Sequence, residues 1–160
     1  MKFAHGMMLI ALLPGAAFAR EPFMPDVIHW GATTEQMETV LAGKCKKMVT
    51  RPIDPPFLDN TRKQTQIDCE GFVFRGKPRH AEFVIGDEQL KLVWIMTGAD
   101  EDAALRDAMV GEYGPPDHRN KVYDAFVAHR AAVRLDKHEV LFYAANAAGD
   151  TEPDFAPDKP

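Results

Sequence analysis

One apolar pattern occurs twice in this chain, and that repetition limits the folds open to it. In RHAEFVIGDEQLKLVWIM, from Arg79 to Met96, residues Ala81, Phe83, Ile85, Leu90, Leu92 and Trp94 map onto Ala131, Val133, Leu135, Val140, Phe142 and Ala144 at a constant offset of 50, without a gap. From Ala81 to Ile85 the apolar side chains alternate with His80, Glu82 and Val84, the period of two that buries one face of a strand and leaves the other mostly wet. Gly86-Asp87 breaks the run, with glycine free to take positive φ in a hairpin turn. Leu90, Leu92, Trp94 and Met96 resume the alternation, while Val93 and Ile95 make the second face apolar too. A strand apolar on both faces belongs at the centre of a sheet.

The chain opens on the features of an export leader. Lys2 forms a short basic region, Met7 to Leu13 an apolar run, and Ala17-Phe18-Ala19 a cleavage motif ahead of Arg20. The apolar run is far shorter than the roughly 20 residues a membrane-spanning helix requires, and no cysteine beside the cleavage point could carry a lipid. Residues 1–19 therefore read as a cleaved signal peptide, residues 20–145 as one domain and residues 146–160 as a disordered acidic tail rich in Pro and Asp. The product is expected outside the cytoplasm, without stable membrane insertion; in a Gram-negative bacterium that compartment is the periplasm.

Charge is unevenly placed. Arg20 to His80 holds 10 basic and 8 acidic residues, a net of +2, whereas Ala81 to Pro160 holds 8 basic and 16 acidic, a net of −8. A nucleic-acid protein would instead show a basic face. Cys45 and Cys69 are the chain's two cysteines. In an oxidising compartment they are expected to pair, closing a loop of about 25 residues that stabilises the fold by roughly 3 kcal/mol.

In chain order, Pro22 and Pro25 keep the start extended until Ile28 and Trp30 dock. Thr33-x-x-Gln36 predicts a capping box, followed by Met37, Val40 and Leu41 at helical spacing and Gly43 as the stop. Lys44 to Lys63 reads as a proline-rich insertion. Gln64 to Cys69 and Phe72 to Phe74 predict one strand bent at Gly71. Asp100 to Asp102 favour the start of a second helix, whose apolar stripe is Leu105, Ala108, Met109 and Tyr113. A short strand over Val122 to Phe126 and the second hairpin follow. The expected fold is α+β: an antiparallel sheet of about six strands with two helices on one face, arranged as two α-β-β-β units.

Gly31 to Thr34 opening a helix, Tyr113-Gly114-Pro115 closing one, and the tandem helix-plus-sheet plan resemble small bacterial envelope proteins of the beta-lactamase-inhibitor-like fold, which include outer-membrane assembly lipoproteins. The resemblance implies action through protein-protein contact, and no contact residue carries over from it. Two features depart from that pattern: a lipidated cysteine is missing, and the insertion after the first helix is large.

Catalytic chemistry is mostly excluded. The chain contains no serine, which removes every serine nucleophile. It has no phosphate-cradling glycine motif. His29, His80, His118, His129 and His138 do not pair at the i, i+4 or i, i+2 spacing of common metal sites. Surface or capping roles are their ordinary reading, with a set such as Asp117, His118 and His129 the kind of ligand group that folding alone could assemble. Asp68 and Glu70 read as a solvated strand face. No catalytic residue, cofactor or metal is expected.

Two surfaces stand out. Arg75, Lys77, Arg79 and His80 crowd one turn and, with Lys44, Lys46 and Lys47, would form a basic patch for an anionic partner or lipid headgroup. Val93 and Ile95, with Phe72 and Phe74, would leave apolar surface on the side of the sheet away from the helices, covered by the N-terminal arm or by a partner. The expectation is a non-catalytic protein-binding or assembly-accessory module with an envelope partner. The alternatives are a small enzyme using histidine or carboxylates in a cleft between the units, and a carrier of a small apolar ligand.

Overall fold

A computed structural model describes residues 22–158. The expected export leader, with its expected cleavage point at Ala19 and Arg20, lies outside these residues. In chain order the elements are α1 (Thr34–Leu41), β1 (Lys47–Ile53), β2 (Gln64–Phe74), β3 (Lys77–Gly86), β4 (Gln89–Met96), α2 (Asp102–Tyr113), β5 (His118–Arg119), β6 (Tyr123–Phe126), β7 (Ala131–Arg134), β8 (Glu139–Tyr143) and the short α3 (Ala148–Thr151). The fold is α+β, with eight antiparallel strands where six were expected, in the order β1-β2-β3-β4-β8-β7-β6-β5. Each half runs helix then four strands, and β4 pairs with β8 at the joint.

The two extra strands have different origins. Lys47–Ile53, expected as insertion, is an edge strand exposed along nearly its whole length. Pro52 is compatible with that position because it has no N–H to donate, and the outer side of an edge strand has no partner that needs one. β5 is only two residues long and closes the other edge.

Bulges decide which side chains share a face. At Gly71 (φ +79) the β2–β3 register shifts, and a Cβ there would lie 2.8 Å from Lys46 Cβ, so this position needs glycine. The shift brings Phe72 and Phe74 onto the same face as Ile67 and Cys69. A second shift opposes Ile85 to Leu90 but Val84 to Leu92. Past it, Val93 and Ile95 join Ala81 and Phe83 in the core under the helices, while Leu92 turns to the other side. This corrects the expectation that Val93, Ile95, Phe72 and Phe74 face away from the helices. The repeat fails at the same point, because Phe142 faces the helical side and Leu92 does not. The first hairpin turns on Asp87 and Glu88, both at positive φ, rather than on Gly86-Asp87; the second leaves Leu135 to His138 between its last pair.

One face carries α1, α2 and the N-terminal arm, which bury Met37, Leu41, Leu105, Met109 and Phe23. The capping box forms as expected: the Gln36 amide donates to Thr33 Oγ1 at 3.3 Å and the Thr33 amide to Gln36 Oε1 at 2.9 Å. The Cys45–Cys69 disulfide ties the chain after α1 to β2 across a separation of 24 residues.

The other face is covered over its C-terminal half by residues expected to be a disordered tail. From Ala145 a 3₁₀ turn, α3 and a second 3₁₀ turn fold back, burying Ala147, Thr151 and Phe155. Phe155 packs edge-on to Tyr123 at 5.1 Å and against Tyr143 at 6.0 Å. Asn120 Nδ2 donates to the carbonyls of Asp154 and Ala156. Composition suggested disorder because this stretch has no period; an exposed sheet face supplies the apolar surface on which it orders.

Candidate functional site: the open half of the sheet

With one face under helices and half of the other under the C-terminal segment, and with Leu58 of the β1–β2 loop packed over Val84 and Leu92, the remaining surface is the part of the outer face of β1 to β4 around Asp68, Glu70, His80 and Glu82. Side chains directly opposed across strands share a face, so register alone assembles this surface. Val49, Asp68 and Glu82 form one row, continued by Trp94 on β4 and Leu141 on β8, and Glu70 opposes His80 in the next. Arg134 and Glu139, a pair across β7 and β8, stand beside Trp94. The Arg134 guanidinium lies 5.8 Å from the Trp94 ring and 5.6 Å from the Tyr123 ring, a cation–π arrangement that fixes the indole.

The electrostatics are crowded with acid. Glu70 Oε1 is 2.7 Å from His80 Nδ1, and Glu82 Oε1 is 3.4 Å from His80 Nε2. Asp68 accepts from Gln66 Nε2 at 2.6 Å and from Arg51 Nε at 2.8 Å. Burial works to raise the Asp68 carboxyl, but those two hydrogen bonds and the Arg51 charge hold it below its usual range. Glu139 is pushed up by burial, with Glu82 and Asp136 adding repulsion that Arg134 and Lys137 only partly offset. Glu70 and Glu82 share one imidazole between them as their neighbouring base.

The basic turn does not form one surface. Arg79 is buried: its Nη1 and Nη2 reach the two oxygens of Glu101 at 3.0 and 2.6 Å, and its Nε donates to the Phe74 carbonyl. Lys77 Nζ joins Glu101 at 2.9 Å. Arg75 lies 5.2 Å over the Phe23 ring. His80 points to the opposite face from Arg79, since alternation along β3 separates neighbours. Of the four, it is His80 that reaches the open sheet.

Folding does not gather Asp117, His118 and His129 into a ligand set either. Asp117 caps the Ala128 amide, and His129 stacks on Tyr113 at 4.3 Å. Among the described residues, the group whose ligand atoms converge is Asp68, His80 and Glu82. Reading the β2 and β3 patterns as a paired hairpin, with the bulge at Gly71 counted, would have brought these residues together from sequence. Concavities of about 460 and 530 Å³ lie along the arm beside Phe72 to Arg75 and around Trp30, Gln36 and Val40. His29 lines the second of these, and no carboxylate is among its lining residues.

The class defined by fold and surface is a disulfide-braced α+β module built on one antiparallel sheet with a polar face left open. No known protein family, curated protein or solved structure matches the chain. Among the described residues no helix is long and apolar enough to cross a membrane.

Proposed function

We propose that this chain is an exported, non-catalytic binding module of the cell envelope that holds a protein partner on the open face of β1 to β4. The observation that carries the reading is asymmetric coverage: the C-terminal segment and Leu58 cover the apolar part of this face, while the polar part around Glu70, His80 and Glu82 stays accessible, with Trp94 at the border of the two. An indole held by Arg134 offers a flat apolar anchor, and aromatic anchors with nearby charge are what protein interfaces concentrate. Two carboxylates sharing one imidazole favour a partner that presents Lys or Arg beside an apolar group. The disulfide fits an oxidising compartment, and the resemblance to envelope proteins of the beta-lactamase-inhibitor-like fold points to contact rather than catalysis.

In-cell crosslinking of the exported protein tests this. A Glu70→Lys/Glu82→Lys variant is expected to lose the captured partner, whereas Arg75→Glu/Lys77→Glu, on the turn, is expected to retain it. Equal capture by the wild type and the sheet-face variant would overturn the reading.

A further inference from the structure

We infer that Asp68, His80 and Glu82 form a binding site for one divalent transition-metal ion of the Zn²⁺ type on the open sheet face. One ligand atom from each lies within 4.8 Å of the others. Small side-chain adjustments bring that spread to a centre with bonds of about 2.0–2.2 Å. The placement is a product of register: Asp68 opposes Glu82 directly, and His80 lies two residues earlier on the same face of β3.

The hydrogen bonds show what the group lacks. In the neutral tautomer that carries its N–H on Nδ1, His80 donates to Glu70 at 2.7 Å. Nε2 is then a bare lone pair 3.4 Å from a Glu82 oxygen, with an Asp68 oxygen alongside. Three groups of ligand type thus face one space, in which the cation already present is Arg51 against Asp68. Glu70 on the far nitrogen is the outer contact that fixes the tautomer and ring of a metal-bound histidine. Gln66, only 3% exposed, holds Asp68 in the same way through its 2.6 Å hydrogen bond. One nitrogen and two carboxylate oxygens suit Zn²⁺ or Mn²⁺, whereas Ca²⁺ and Mg²⁺ favour all-oxygen shells. Arg51 opposes the ion through its 2.8 Å contact with Asp68; its half-exposed side chain can swing into solvent.

This inference stands apart from the partner reading, because it concerns the purified chain and Zn²⁺ alone. Calorimetric titration of the disulfide-intact protein with Zn²⁺ is expected to show one site per chain. Glu70→Gln should weaken it about tenfold, His80→Ala by more, and Arg51→Ala should tighten it. His138→Ala, which removes the other histidine held by a carboxylate, at 2.8 Å from Asp102, should leave it unchanged. Zn²⁺ should raise the melting temperature of the wild type and not of His80→Ala, with both proteins melting alike in chelator. Undiminished binding by His80→Ala, loss only in His138→Ala, or no binding at millimolar Zn²⁺ would overturn the inference and leave His80 as a contact of Glu70 and Glu82 alone.

Discussion

Arg79 and His80 are chain neighbours with opposite assignments. Alternation along β3 sends Arg79 under the sheet to Glu101 and His80 to the open face. The hydrogen bonds from Arg79, and next those from Lys77, pull the Glu101 carboxyl from 4.5 down to about 2. A depressed carboxyl contributes stability that is fully present above its ordinary value and is lost as pH falls through the folded one. Wild type should therefore lose this contribution between about pH 4.5 and pH 2. Arg79→Ala should cost about 2 to 3 kcal/mol at neutral pH, through lost charged hydrogen bonds and a Glu101 left with Lys77 as its cation and partly rehydrated. Urea midpoints followed against pH check both: the variant's acid slope over that window should be shallower. Sequence showed the cations but not Glu101 as their partner, because the contact spans 22 residues.

At the scale of elements, the C-terminal segment departs furthest from its sequence pattern. Its 3₁₀ turns bury single residues at irregular spacing, so no periodicity marks it. Phe155→Ala should destabilise the protein by about 3 kcal/mol and expose Tyr123 and Tyr143, read as a lower urea midpoint with loss of near-ultraviolet tyrosine dichroism. A disordered tail would show neither. α1 is the contrary case, since its capping box and stripe lie within a few residues of one another and were readable directly. The β2–β3–β4 meander was legible as alternation, but the face on which Leu92 or Phe72 falls turned on bulges that long-range pairing sets.

For the whole molecule, the question is whether the halves fold as one. β4–β8 pairing joins the two halves of the single sheet, and Phe23 bridges the core, its ring centroid 5.5 Å from that of Phe74 in the first half and 6.1 Å from those of Tyr113 and Phe142 in the second. Its backbone N–H is fixed by Glu112 at 2.9 Å. A single unfolding transition is expected by fluorescence and far-ultraviolet dichroism alike. Phe23→Ala should lower stability by about 3 to 4 kcal/mol while the two probes remain coincident; separate transitions in the wild type would refute the joint core. By itself the sequence determined the α+β class, α1 with its capping box, α2 up to its stop at Gly114, the central hairpin and the cysteine pair, because each rests on local period, turn chemistry or a count of two. Tertiary structure decided the eight-strand order, the folding of the tail, the dispersal of the basic turn and the convergence of Asp68, His80 and Glu82. Those depend on cross-strand register and on which apolar face remains to be covered, and both are set only when distant segments meet.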